Sequence, residues 1–78
     1  MKEFIEFMIK NLVDKPDEVK INEVTSEHSL IFEVHVGEGD IGKVIGKGGK
    51  TARSLRTLLS AVSAKHGKRS VLEILENK

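Results

Sequence analysis

The chain has no cysteine, tryptophan or tyrosine, and its one proline is Pro16. Without cysteine it can form neither a disulfide nor a thiolate metal site, which is typical of a protein in a reducing compartment. Three phenylalanines are too few for an aromatic platform on which bases could stack. The sequence has no apolar run of 18 residues and no signal-peptide start. We therefore expect a cytoplasmic protein without a membrane partner.

Acidic residues are missing from one long part of the chain. Residues 41–72 carry eight lysines and arginines and no aspartate or glutamate, a net charge of +8. Residues 1–40 carry four basic and ten acidic side chains, a net charge of −6, so the formal charge of +1 for the whole chain hides a strong division. A solvated helix normally mixes both signs, because opposite charges one turn apart stabilise it. A block of one sign therefore predicts a polyanionic partner.

Candidate catalytic groups are few and scattered. The three histidines, His28, His35 and His66, do not have the spacing of metal ligands, and no cysteine could complete such a site. The serines within residues 50–65 lie outside any nucleophile motif. The sequence thus predicts no catalytic residue, no metal, no cofactor and no small-molecule substrate, and the protein is not expected to be an enzyme.

The 78 residues divide into six predicted elements of secondary structure. Apolar residues at helical spacing predict an amphipathic helix over residues 3–13, which ends near Asp14 because Pro16 disfavours helical geometry in the residue before it. The other predicted elements are strands at 19–25 and 30–36, a short helix at 40–45, a longer helix at 50–65 and a strand at 70–76.

These elements are expected to form a single small α+β domain with one core. A short polar turn joins the first two strands, which predicts an antiparallel hairpin. The last strand follows a long helical connection and can therefore lie parallel to the second strand. The predicted order of elements is α-β-β-α-α-β.

The same periodicities predict which side chains form the core. Phe4 and Phe32 are expected inside it, with Phe7 toward its edge. Glu23 interrupts the alternation of the first strand, which indicates either a bulge or an edge position. The remaining predicted core residues are Ile5, Met8, Ile9, Leu12, Leu30, Val34, Val36, Leu55, Leu58, Leu59 and Val62.

The most informative stretch is residues 40–51, which contain four glycines and three lysines between the short helix and the longer one. Glycines at both ends of residues 46–49 let another backbone come close, because no Cβ blocks the approach. Neighbouring lysines and the amide groups of the following helix start favour an anion. The stretch therefore predicts a contact site for a nucleic-acid backbone.

Other glycine motifs fit this region less well. Residues 37–42 match the dinucleotide pattern G-x-G-x-x-G, but the acidic residue expected about 20 positions later is missing. The phosphate-loop pattern is half met twice, because Val44 replaces the magnesium-binding hydroxyl of one match and the first glycine of the other. A glycine turn that only forms a corner between two helices is the simplest structural alternative.

Val44-Ile45-Gly46-Lys47-Gly48-Gly49, followed by an amphipathic helix, resembles the KH domain, which has an Ile-Gly-x-x-Gly loop between two helices. The order of elements matches the bacterial, or type II, form, and this resemblance implies a three-stranded mixed sheet with helices packed on one face. The chain looks like the short single-KH proteins of the KhpA family, which implies one KH domain over residues 1–78. The family implies a non-catalytic module that clamps about four single-stranded RNA nucleotides, as an RNA chaperone or post-transcriptional regulator.

The resemblance also implies a set of RNA-binding residues. Ile41, Val44 and Ile45 are candidates for the apolar floor of the groove, although one or two of them must instead anchor the short helix in the core. Arg56 continues the line of basic residues, and residues 65–69 are expected to border the other side of the groove. The predicted RNA-binding residues are Ile41, Gly42, Lys43, Ile45, Gly46, Lys47, Gly48, Gly49, Lys50 and Arg53.

An alternative function is protein interaction, in which the groove is secondary. The KhpA resemblance implies self-association or pairing with a larger KH protein. A homodimer or heterodimer is expected, because one groove reads too few nucleotides and two joined grooves raise avidity. The longer helix is the predicted contact, since it has small residues outside its main apolar stripe. The residues predicted to contribute are Ala52, Ala61 and Ala64, with Phe7 and Ile31 as further apolar groups.

Overall fold

The computed structural model describes residues 2–77. Its helices and strands are α1 (Lys2–Lys10), β1 (Lys20–Thr25), β2 (Ser29–Val36), α2 (Ile41–Ile45), α3 (Lys50–Lys65) and β3 (Arg69–Glu76). Single 3-10 turns lie at Pro16–Glu18 and Lys47–Gly49. The predicted order is confirmed, and every predicted boundary except the end of the first helix falls within one residue of the observed one.

The three strands form one mixed sheet in the order β1-β2-β3. β1 is antiparallel to β2, with Ile21 opposite Val34, and β2 is parallel to β3, with Phe32 opposite Leu72. β1 and β3 are therefore the two edges of the sheet. The register of β1 is continuous through Glu23, so the edge position, and not a bulge, accounts for the exposed glutamate.

All three helices pack on one face of this sheet. Side chains from α1, α2 and α3 join those of the three strands in a single apolar cluster. Its buried members are Ile5, Ile9, Val19, Ile21, Phe32, Val34, Val36, Val44, Leu55, Leu59 and Leu72. The alternate residues of β2, including Ile31 and His35, lie on the opposite face of the sheet and are only partly buried.

α1 ends earlier than its apolar spacing predicts. The predicted end near Asp14 is wrong, because the backbone N–H groups of Asp14 and Lys15 donate to the Asp40 carboxylate and so are not used in helical hydrogen bonds. Phe4 is also not a core residue, since Ile5 and Ile9 take the inward face and leave its side chain 47% exposed. Leu12 lies beyond the end of α1 and is also exposed.

α3 is rotated slightly from the orientation that its leucines predict. Leu55 and Leu59 are buried as predicted and Val62 is partly buried, but Leu58 is 39% exposed. The buried stripe instead runs through Ala52 and Ser63, so Ala52 is not available on the outer side of the helix. A small residue at position 52 lets the helix come close to the elements that it covers.

Candidate nucleic-acid interface

The loop 46–49 has a backbone that depends on its glycines. Gly46 has φ +79° and ψ 168°, a conformation found almost only for glycine, and it marks the end of α2. A Cβ at Gly46 would lie 2.7 Å from the Cβ of Thr51, so the first turn of α3 leaves no room for a side chain. Gly48 has φ +63°, yet beyond its two chain neighbours no atom of the described residues lies within 4 Å of where its Cβ would be. The loop is thus closely packed at its start and open at its tip.

Asp40 fixes the start of α2 in front of this loop. Its side chain is only 2% exposed, and its carboxylate accepts hydrogen bonds from the N–H of Lys15 at 2.9 Å and of Asp14 at 3.3 Å. The segment after α1 is thereby tied to α2. The sequence pattern places Asp40 in the short helix and does not predict this role. Its place at the start of a helix was no signal for it, because the carboxylate makes no capping hydrogen bond to α2.

We expect Asp40→Ala to lower the free energy of unfolding by about 2 kcal/mol, because two partly buried N–H groups lose their acceptor. Urea unfolding followed by circular dichroism measures this loss. Asp14→Ala is the matched control, since it removes an exposed carboxylate that also pairs with Lys43, and it should cost less than about 0.5 kcal/mol. Equal losses in the two variants would mean that the buried position of Asp40 has no special role.

Lys43 is already engaged with acidic groups. Its Nζ lies 3.1 Å from the Asp14 carboxylate and 3.8 Å from that of Asp40. The hydrogen bond to Asp14 raises the pKa of Lys43, and the charge of Asp40 acts in the same direction. Lys43 therefore holds α2 against the preceding segment, with much of its charge balanced locally.

A cleft opens beside the loop, between α3 and the edge strand β3. It has a volume of about 530 Å³. The residues that line it are Ile45, Gly49, Ala52, Arg53, Arg56 and Ile74. Because β3 has a neighbour on one side only, a row of its backbone N–H and C=O groups faces away from the sheet. The cleft thus combines an apolar floor, two guanidinium groups and the outward-facing main-chain groups of an edge strand.

The basic side chains around the cleft are not neutralised by the protein. Lys47, Lys50, Arg53 and Arg56 are exposed. Within residues 2–77 none of these four pairs with a carboxylate, whereas Lys43 pairs with two. Arg56 reaches across the cleft, where its Nη2 lies 3.5 Å from the carbonyl oxygen of Leu72 on β3. The positive charge at this surface is therefore available to an anionic ligand.

The ten predicted site residues do not all meet in this cleft. Ile45, Gly49 and Arg53 line it, and the loop residues Gly46, Lys47 and Gly48 adjoin it. The others lie elsewhere: Ile41 packs against the core, Gly42 is exposed on α2, Lys43 is held by carboxylates, and Lys50 lines a separate pocket of about 310 Å³ beside Met8.

Sequence reasoning missed part of the lining and misplaced another part. Val44 was a candidate for the apolar floor but is fully buried in the core. Ile74 and Ala52 line the cleft and were not predicted there. The parallel pairing of β2 and β3 was the available signal for Ile74, because it places β3 at the sheet edge beside α3. Residues 65–69 lie at the opposite end of α3 from the loop.

The described part of the chain contains neither a metal site nor a helix that could span a membrane. Among residues 2–77 no group of three or more histidine, aspartate or glutamate side chains is arranged to hold a metal ion. None of the helices described is long and apolar enough to span a membrane.

Comparison with a family model and comparison with individual proteins point to the same family. The family model described as KhpA/KhpB, KH domain, matches residues 2–74. The protein named RNA-binding protein KhpA in Chlamydia pneumoniae is 51% identical over 78 residues, which is the whole of both chains. That of Borreliella burgdorferi is 53% identical over 74 residues, 95% of this chain and 90% of the relative, and that of Aquifex aeolicus is 47% identical over 97% and 96%. No solved structure gives a significant match. The chain belongs to the KhpA/KhpB family of KH-domain proteins.

Proposed function

We propose that the protein binds single-stranded RNA in the cleft between α3 and β3, without catalysis. The observation that carries this proposal is the group of unpaired basic side chains that surrounds a cleft beside an open glycine loop. The names of its relatives as RNA-binding proteins support the ligand class. On this proposal residues 1–78 act as one KH domain that holds about four nucleotides.

The proposed roles follow from the positions of the residues. The loop 46–49 lets the RNA backbone come close, and Lys47 at its tip contacts a phosphate. Arg53 and Arg56 contact phosphates or base edges from the α3 wall, while Ile45 and Ile74 pack against the bases. Lys50 supplies a more distant charge at the side. Ile41, Gly42 and Lys43 position α2 and hence the loop, with Lys43 contributing less to binding than Lys47.

A module of this kind fits an RNA chaperone or a post-transcriptional regulator of the cytoplasm. About four nucleotides form too short a sequence to select one target, so the proposed activity is broad binding of unpaired RNA. The cleft offers positive charge and backbone groups, and none of the described residues that line it is a nucleophile or a general base. The RNA is therefore bound and released unchanged.

Salt dependence tests the proposal. Contact with three or four phosphates predicts that the logarithm of affinity falls with the logarithm of salt concentration with a slope near −2 to −3. Arg53→Gln should reduce the magnitude of this slope by about 0.7, because one phosphate contact is lost. Lys20→Gln on β1 removes the same charge away from the cleft and should leave the slope unchanged. Fluorescence anisotropy with labelled oligouridylate measures the slope for the parent protein and for each variant. A slope near zero for the parent protein would contradict the proposal.

A second candidate function is self-association through an apolar surface of α1 and α3. Phe4 and Met8 lie one turn apart on α1, and Met8 and Leu58 line the same pocket. Leu58 also lines a neighbouring pocket of about 480 Å³ with Ala61. The exposed Ala61 permits close approach of a second helix, so we propose a second copy of this chain, or a related KH protein, as the partner. Ile31 does not belong to this surface, because it lies on the opposite face of the sheet.

Light scattering at micromolar protein concentration tests this association. A homodimer is expected, with a mass near twice 8.6 kDa. Ala61→Glu should shift the mass toward the monomer, because it places a charge in the apolar contact. Asn22→Glu adds the same charge on the exposed part of β1 and should leave the mass unchanged. A mass near 8.6 kDa for the parent protein at every concentration would exclude the dimer.

A further inference from the structure

We propose that the face of the sheet that no helix covers is a weak contact between two copies of this chain, in which their β3 strands lie over each other in opposite directions. This contact goes beyond the proposed RNA binding and is separate from the surface of α1 and α3. Three observations carry it: an apolar row across the uncovered face, two neighbouring carboxylates on one side of that row, and an arginine on its other side.

The apolar row crosses all three strands. Val24 is paired with Ile31 and Ile31 with Val71, so these β-branched side chains are neighbours on the face away from the helices. Val24 is 51% exposed and Val71 is 36% exposed. Contacts within such a row stabilise the sheet itself, yet much of the outer surface of the row stays in water. A second apolar surface that covers the row would therefore be favoured by the hydrophobic effect.

Charged side chains beside the row determine which surface fits. On one side Glu33 lies next to Glu73, because the parallel register of β2 and β3 pairs them. Neighbouring carboxylates repel each other. On the other side of the row Arg69 is exposed. Among residues 2–77 none of these three side chains has an ion pair, so each is available to a charge on another molecule.

A twofold axis along the apolar row makes this pattern complementary to itself. The axis crosses the strands at Val71 and places β3 of one copy over β3 of the other in the opposite direction. Arg69 and Glu73 lie two residues before and after Val71 on the same face of β3, so Arg69 of each copy lies over Glu73 of the other. Facing sheets are about 10 Å apart and turned by about 30°, which an arginine and a glutamate side chain together can span.

Other arrangements fit this face less well. A twofold axis parallel to the strands would place Glu33 over Glu33 and Glu73 over Asn22, so no carboxylate would gain a cation. A nucleic acid would bring its phosphates against both glutamates. With the axis along the apolar row, Glu73 meets Arg69 and Glu33 faces the hydroxyl group of Ser29, which is paired with Arg69 in the register.

The size of the face sets the strength of the contact. Three strands about 4.8 Å apart, with side chains on four rows, cover roughly 300 Å². A stable interface needs about 800 Å² on each partner. The sheet faces should therefore associate near millimolar concentration and remain apart in the micromolar range. Copies that are already joined through another surface, or bound to the same RNA, reach a millimolar concentration locally.

Charge exchange tests the contact. All proteins carry A61E, which weakens association through α1 and α3, and sedimentation equilibrium gives their average mass at about 1 mM. The A61E protein should have a mass well above 8.6 kDa. Adding either R69E or E73R should return the mass toward 8.6 kDa, because each change creates two contacts between like charges. An equimolar mixture of the two variants should associate again, since both contacts then join opposite charges.

The matched controls are K10E and E38R, also in the A61E protein. They change the net charge by the same amounts at exposed positions on α1 and before α2, away from the sheet face. Each control should associate as the A61E protein does. Loss of association in either control would show that net charge, and not the sheet face, determines the mass, and would overturn the proposal.

A second measurement needs no substitution on the sheet face. Amide resonances of Ile31 and Val71 in the A61E protein should shift as its concentration rises to about 1 mM, whereas those of loop 46–49 should not. A mass that stays near 8.6 kDa, or a mixture of R69E and E73R no heavier than either variant alone, would overturn the contact. RNA binding is measured separately, so these results leave the proposed function unaffected.

Discussion

Replacing Lys47 and Gly48 together by aspartate is expected to lower the affinity for single-stranded RNA at least about tenfold, or about 1.4 kcal/mol. The two carboxylates would lie at the tip of the loop, where the proposal places a phosphate, and repulsion would replace attraction. The fold should persist. Beyond its two chain neighbours, no atom of the described residues lies within 4 Å of the Cβ position at Gly48, and aspartate tolerates its left-handed backbone better than most residues.

The control for this variant must carry the same change in charge, because a more acidic protein binds RNA less well wherever the charge lies. Lys20→Glu combined with Asn22→Glu changes the net charge by the same amount on the exposed side of β1. Circular dichroism checks both proteins for folding. RNA binding by the folded K47D/G48D variant that equals that of the parent or the control would show that the loop does not contact the ligand.

Gly46→Ala is expected to destabilise the protein by about 3 kcal/mol, the largest effect on stability that we predict here. Two causes combine: alanine is strained at φ +79° and ψ 168°, and its Cβ would collide with the side chain of Thr51. A domain of this size has a total stability of only about 5 kcal/mol or somewhat more, so the variant should be largely unfolded at modest urea concentrations.

Gly48→Ala serves as the comparison, because its backbone is left-handed but its surroundings are empty. It should cost about 1 kcal/mol, the strain of that backbone conformation alone. Adding Thr51→Gly to the Gly46→Ala variant should recover the part of the loss that arises from the collision. Similar costs at positions 46 and 48 would show that the contact between the loop and α3 is not a tight one.

The elements of this fold could be predicted where local patterns are strong. The alternation of β2 and the helical spacing of α3 gave both elements to within a residue, since each period directly determines which side chains can face a core. The end of α1 could not be predicted in this way. It depends on hydrogen bonds to Asp40, a residue 26 positions beyond Asp14, and no local pattern reports such a partner.

The orientation of α3 shows a related limit. Leu58 and Ala52 are both compatible with an apolar stripe that contains Leu55 and Leu59, and the sequence favours the larger side chain. The structure buries Ala52 instead, because close packing between elements rewards a small residue at that point. The pattern of hydrophobic residues predicts that α3 has a buried stripe. The shapes of the elements that pack against α3 determine which side chains form that stripe.

Some residues of the candidate site could likewise be predicted from the sequence, and others could not. The glycines of the loop could be identified because their backbone freedom is a property of the residue itself. The wall formed by Ile74 was missed, since it follows from the pairing of β3 with β2 and not from the pattern of β3 itself. Lys43 and Lys47 look equivalent in the sequence, and both are exposed. Only the structure shows that Asp14 and Asp40 pair with Lys43, whereas no carboxylate of residues 2–77 pairs with Lys47.

The most direct measurement of the central claim is a titration of the isotope-labelled protein with oligouridylate, followed through its assigned backbone amide resonances. Binding in the cleft predicts that the largest shifts occur in residues 46–53 and around Ile74 on β3. Resonances of α1 and of Ile31, on the far face of the sheet, should move little. Shifts confined to α1 or to that far face, with residues 46–53 unchanged, would contradict RNA binding in this cleft.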